Sequence, residues 1–416
     1  MNIQDNVMTY LRFRGDLTFQ QSPFNEVDAL IFSILSSICY DGIVPSPKDY
    51  DQMHYAVHSV TQLYDLASYD ENSKGVTLKE VYKELLKTGA KPLSEAEKAE
   101  DFDPKLADDA GDYPASPYRM EMLLLMFQTK RYSQVRLSNF VREIDDHGVM
   151  QFSAMHVNYQ KNRTYIVFRG TDHSFTGWKE DCLMTVRIPV AGQERALQYI
   201  KDTVDLSLWN FRRRYYLGGH SKGGNLAVYT GIFCDPGFQK KILGVYSFDG
   251  PGWCQDLKNE EESKEKYDRI SDRLHTYIPE YCLVGVINPY YDQRIVVKSF
   301  GEGIGQHSGK SWIVEGDHFC LGLRDESSIQ TEKAVHRWLD SMTLEEKNQF
   351  IDAFFHLVEE SEISRFDDIF SLSLRQVISL LMSATKVPAE ERNLVIKVLN
   401  ALRKERKEQK KNLADL

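Results

Sequence analysis

The sequence predicts an α/β protein, a mostly parallel central sheet flanked by helices, with a helical C-terminal extension. Three observations predict it. Strand-like and helix-length segments alternate from about Val149, several of the strand-like runs are apolar almost without interruption, and the pattern turns helical after Asp340. The 416 residues divide on this reading into a main domain, 1–340, and an extension, 341–416.

The runs VMQFSAMHVNY, RTYIVFRG, RRYYLGG, ILGVYSFDG, LHTYIPEY and QRIVVKSFG have strand length and β-rich composition. Between them GQERALQYIKDTVDLSLW, GNLAVYTGIFC and the segment Trp253 to Leu274 have helical length. Ahead of this region NEVDALIFSILSSICY repeats apolar residues at helical spacing behind an Asn/Glu start, as a helix packed on a core does. Residues 94–113 are acidic and almost free of core residues, which reads as a surface loop or a lid. In the extension, Thr343-Leu-Glu-Glu346 is a capping box; 376–382 and 392–400 continue as helices, and RKERKEQKK ends the pattern as a solvated helix end or a basic arm.

Composition excludes several classes of function. With 51 Lys and Arg against 61 Asp and Glu the net charge is -10, the wrong sign for a nucleic-acid partner. The first residues lack the basic and then apolar pattern of an export signal, and no apolar run approaches the ~18 residues of a membrane span. Six cysteines stand singly, as reduced thiols of a cytoplasmic protein do. No C-x-x-C pair supports a metal site, and neither metal nor cofactor is expected.

The chemistry concentrates at Gly219-His220-Ser221-Lys222-Gly223, a G-x-S-x-G pattern between the strand-like Tyr215-Tyr216-Leu217 and a helix-like run from Asn225. Strand, sharp turn, helix is the setting in which a serine hydroxyl is exposed as a nucleophile. The turn crowds the backbone, so Gly219 and Gly223 supply the room. It also sets the Lys222 N–H at a helix N-terminus, where it faces a developing oxyanion. About 50 residues earlier an apolar strand ends in Phe168-Arg169-Gly170-Thr171, and Thr171 is the candidate for a second N–H donor. Gly177-Trp178-Lys179-Glu180-Asp181 reads either as a brace for that loop, with Asp181 accepting from its backbone, or as a helix start.

FRGT, the following W-x-x-D and GHSKGGNLA after a strand resemble the class 3 lipases of the α/β-hydrolase superfamily. FRGDL near the start, GWKED, FDGPG and QHS-x-x-SW resemble more closely a family of bacterial lipase-like proteins. The resemblance covers most of residues 1–320 and implies an α/β-hydrolase fold with Ser221 as nucleophile, Thr171 and Lys222 as oxyanion donors, and a chain order of serine, acid, histidine. His307, in a Gly-rich loop after RIVVKSF, is the candidate base, and His318 in GDHF the second choice. For the acid, Asp249 at the end of ILGVYSF is the first choice and Glu280 after the next strand the alternative, and a dyad without an acid stays open. Class 3 lipases carry their Asp after that next strand, where this chain has Cys282. The implied activity is hydrolysis of a small acyl-ester or lipid-like substrate through an acyl-enzyme, without nucleic-acid or integral membrane contact. The alternative is a catalytically silent binding or scaffold protein on the same fold.

Overall fold

The computed structural model describes residues 6–49, 74–99, 114–360, 376 and 388–401, with 173, 208, 209, 256, 258, 259, 290–292 and 392 excepted. Most of the acidic 94–113 segment, of the 376–382 helix and all of the basic terminal run lie outside the described residues. Eight strands form one sheet in chain order: β1 (Val76–Thr77), β2 (Arg136–Asp145), β3 (Met150–Gln160), β4 (Arg163–Phe168), β5 (Arg214–His220), β6 (Ile242–Phe248), β7 (Leu274–Pro279) and β8 (Arg294–Val297). From β4 to β8 every pairing is parallel, whereas β1 to β4 are joined antiparallel. The protein is thus α/β, with a parallel half and a hairpin half.

The continuous apolarity of the strands has a direct cause, because successive side chains point to opposite faces and both faces are covered. Tyr165 and Val167 of β4 enter one core with the Glu26–Leu35 and Pro117–Gln128 helices. Ile166 and Phe168 enter another core with the crossover helices Ala191–Thr203 and Lys222–Phe233. Phe355, Leu357 and Val358 of the Leu344–Glu359 helix join that second core, as do Val395 and Leu399. The capping box at Thr343 forms, with the Thr343 hydroxyl accepting from the Glu346 N–H.

Two expectations differ from the outcome. β2 precedes Val149, where the β-rich region was expected to begin. Its second half, Val-Arg-Glu-Ile-Asp, is largely solvated, so it lacks the apolar signal of a covered strand. Among its described residues, the segment from Trp253 to Leu274 is helical only over Glu261–Asp268 and a short 3₁₀ turn at Ser271–Arg273. The stretch around Trp253 is tied elsewhere: Asn225 Nδ2 donates to the carbonyls of Pro251 and Gly252, and the Trp253 N–H donates to Pro289. Among the described residues no helix is long and apolar enough to cross a membrane, and no group of His, Cys, Asp and Glu is placed to hold a metal ion. All six cysteines are free thiols.

A fully buried ion pair locks the N-terminal helices to one face of the sheet. Asp28 accepts from Arg131 Nε at 2.8 Å and Nη2 at 2.5 Å and from the Tyr132 hydroxyl at 2.5 Å, and it closes a capping box with Asn25. Removing one partner strands the other charge in the core, so Asp28→Ala should lose about 3–5 kcal/mol of stability. Urea unfolding of the variant beside the native protein measures it.

Candidate active site

β5 ends at His220, the next helix begins at Lys222, and Ser221 alone makes the turn between them. Its backbone sits at φ 57 and ψ -133. That conformation costs a non-glycine residue about 1–3 kcal/mol and persists only where the surroundings impose it. They do so by close approach to the end of β4. A Cβ on Gly223 would lie 2.1 Å from the Phe168 carbonyl oxygen, and one on Gly219 would lie 2.5 Å from the same atom. The loop after β4 is equally tight, since a Cβ on Gly170 would come within 2.8 Å of the His220 carbonyl oxygen and 3.3 Å of Ser221 Cβ. The Arg169 N–H donates to Ser153 at 2.9 Å and fixes the start of that loop. The segment carrying Thr171 therefore lies against Ser221.

The next strand brings the carboxylate. Ser221 N–H donates to the Phe248 carbonyl at 2.9 Å, joining the end of β6 to the turn, and Asp249 follows at φ 49, fully buried. His307 Nδ1 donates to Asp249 Oδ2 at 2.6 Å. This fixes the tautomer and leaves Nε2 as the basic nitrogen. His307 belongs to a 3₁₀ turn, Gly303–His307, held from several sides. Tyr281 N–H donates to Gln306 Oε1 at 2.8 Å, Trp312 Nε1 donates to the Gln306 carbonyl at 2.9 Å, and Gly309 packs against Leu30 of an N-terminal helix.

His220 was not singled out by the sequence, yet it links the turn to the imidazole. Its Nε2 donates to the His307 carbonyl at 2.6 Å, and the two ring centroids are 4.5 Å apart. Burial, then His307, pushes the His220 imidazole down to about 4, so it is neutral through the physiological range. Of the other acid and base candidates, Glu280 packs against Gly322 and His318 is exposed beside Asp317. His275 stacks on Tyr246, and His336 donates to the Val286 carbonyl.

The Lys222 side chain was also missed. It is 1% exposed, and its Nζ donates to Glu180 Oε2 at 3.0 Å, to Gln151 Oε1 at 2.6 Å and to the Gln151 carbonyl at 2.9 Å. Glu180 in turn accepts from Gly192 N–H at 2.6 Å and Gln151 N–H at 3.0 Å. The signal was present in the acidic pair of GWKED, of which only Asp181 drew notice. Asp181 takes the Thr171 hydroxyl at 2.5 Å, where a backbone donor was expected. It lies on the Phe175–Leu183 helix, so helix and brace coexist.

A family model, Mbeg1-like, matches residues 126–356 of the 416, more than half of the chain. The chain belongs to the Mbeg1-like family. This lipase-like family match spans β2 to β8 and every residue of the candidate site. No curated protein matches the chain. Among solved structures, the native Rhizomucor miehei lipase propeptide complex is similar at 15% identity, with a TM-score of 0.30 over 39% of this chain and 57% of that one. The chain thus spans less than two thirds of that lipase's length.

Two outcomes are expected. Gly223→Ala sets a methyl group into the Phe168 carbonyl, so the variant should lose about 1–3 kcal/mol or more and bind Ser221-directed reagents poorly, as read by thermal unfolding and labelling. Asp181 has its carboxyl pushed up to about 6, first by burial, with Lys222 and the Thr171 hydroxyl opposing. A carboxyl raised above its unfolded value favours the protonated fold, so its contribution is complete below about pH 4 and is lost as pH rises through about 6. Asp181→Asn should therefore gain stability relative to native at pH 8, by about 1–2 kcal/mol, and the gain should shrink as pH falls to 4.

Proposed function

We propose that the chain is a serine hydrolase of carboxylic acyl esters on an α/β-hydrolase fold. The observation that carries the reading is the 2.6 Å contact between His307 Nδ1 and Asp249 Oδ2, beside a serine held at positive φ between a strand and a helix. In the proposed reaction Ser221 Oγ attacks the ester carbonyl carbon while His307 Nε2 takes the hydroxyl proton. Asp249 orients the imidazole and stabilises the imidazolium. The Lys222 and Thr171 N–H groups receive the oxyanion, and His307 returns the proton to the departing alkoxide. Water, activated by the same imidazole, then hydrolyses the acyl-enzyme and releases the acid.

The buried Lys222–Glu180 pair supports a donor role for the Lys222 backbone, because it anchors the first residue of the helix from below the turn. The rival reading of a silent scaffold drew on Cys282 standing where lipases carry their acid. A carboxylate from the neighbouring strand on the imidazole favours the enzyme over it. The substrate of this reading is a small acyl-ester or lipid-like molecule, and the site works without metal or cofactor.

An alkyl fluorophosphonate should label the native protein stoichiometrically and leave Ser221→Ala unlabelled. Across p-nitrophenyl esters of increasing chain length, Ser221→Ala should lose at least about a thousandfold in kcat. Folded native protein that neither labels nor hydrolyses any of them would overturn the proposal in favour of a binding role.

A further inference from the structure

We propose that Cys282 is a positioning residue for this site: its thiol donates to the Asp249 oxygen that His307 leaves open and so sets how much carboxylate charge the imidazole feels. The inference rests on the hydrolase reading above.

Cys282 Sγ lies 2.8 Å from Asp249 Oδ1, while His307 Nδ1 occupies Oδ2 at 2.6 Å. Thiol and carboxylate are both buried, at 1% and 0% exposure. An ionised carboxylate offers only acceptors, so in that pair the sulfur carries the hydrogen. Burial, and next the Asp249 charge, hold the thiol in its protonated form by raising it well above the usual thiol range.

Two features of the surrounding chain are built to this contact. A Cβ on Gly285 would lie 2.5 Å from Asp249 Oδ1 and 2.8 Å from Cys282 Sγ, so the approach requires a residue with no side chain there. The backbone of Cys282 is clamped by one hydroxyl: Ser328 Oγ accepts from the Cys282 N–H at 3.0 Å and donates to the Cys282 carbonyl at 2.9 Å. Ser328 belongs to the Glu326–Asp340 helix and is itself fully buried.

The chemistry explains the residue type. A second carboxylate at this distance from Asp249 would force one of the two to stay protonated. A thiol occupies the place without charge and donates weakly, which leaves most of the negative charge for the imidazolium. Removing the donor concentrates the charge further on the His307 side, stabilises the imidazolium and makes the base harder to free. Asp181, bonded to Thr171 across the site, has its carboxyl pushed up to about 6 and changes charge over the same range in native protein and variants alike, so the comparison between them isolates Cys282. Arg294 and Arg324 act on Cys282, Arg119 acts on His220, and burial holds the His220 imidazole down at about 4, below that range.

The test is the pH dependence of kcat/KM on a p-nitrophenyl ester for native protein, Cys282→Ala, Cys282→Val and Cys282→Ser. Both variants without a donor should move the acid limb upward by roughly half a unit to one unit, a loss of up to about tenfold on that limb. Cys282→Ser keeps a donor and should stay close to the native limb. The Val variant fills the space that the Ala variant leaves, which separates the donor from packing. An unmoved limb in both donorless variants, or an equal movement in Ser, would overturn the proposal. The low-field Nδ1 proton resonance of His307 gives a reading that does not need turnover: it should move in the donorless variants and not in Ser. Native protein inert to ester and fluorophosphonate would end the hydrolase reading alone, whereas a resonance unchanged by loss of the thiol would end the Cys282 assignment alone.

Discussion

The end of β4 and the first turn of the Lys222–Phe233 helix approach so closely that only backbone fits between them. A Cβ on Gly219, Gly223 or Gly170 would meet a backbone carbonyl oxygen at 2.5, 2.1 or 2.8 Å, closer than side chains come. The strain this places on Ser221 is sustained by the parallel pairing of β4, β5 and β6, which fixes all three strand ends at one edge. A looser sheet would let the turn relax to a negative φ, and the hydroxyl would swing away from the neighbouring loop. The candidate site therefore depends on sheet register as much as on any functional side chain.

The polar groups around the turn are arranged in layers. Beneath it lies the buried Lys222–Glu180 charge pair, whose remaining hydrogen bonds go to the Gln151 side chain and to backbone N–H and carbonyl groups. Such a pair adds little net stability compared with apolar packing, but it fixes one geometry because any shift strands a charge. Beside it, Asp249 is held between a thiol and an imidazole. Asp28 and Arg131 repeat the arrangement on the far face, where they fix the N-terminal helices. Through Leu30 against Gly309, those helices also support the loop that carries His307.

His307 sits on no regular strand or long helix, so its position comes from side-chain anchors that are distant in sequence. Gln306 ties its loop to the residue before Cys282, Trp312 closes the loop on itself, and His220 binds the His307 carbonyl from the serine side. The site thus draws on the ends of β4, β5, β6 and β7 and on the chain after β8. This is the usual place for a site on a parallel sheet, at the carboxyl ends of the strands.

The alternation of strand and helix, the apolar strands, the capping box at Thr343 and the tight serine turn were legible from the sequence, because each is a local pattern set by side-chain periodicity or backbone sterics. β2 was not, since a strand half exposed to water carries no continuous apolar signal. Of the two acids left open, only Asp249 meets His307, and that contact joins residues 58 apart in sequence. Sequence fixes the chemical type of a side chain, while pairing depends on which strand ends the sheet register brings together. The buried partners of Lys222 and Cys282 belong to the same class of fact. Whether an ammonium or a thiol is solvated or enclosed is settled only when the layers pack, because burial is a property of everything around a residue and of nothing within it.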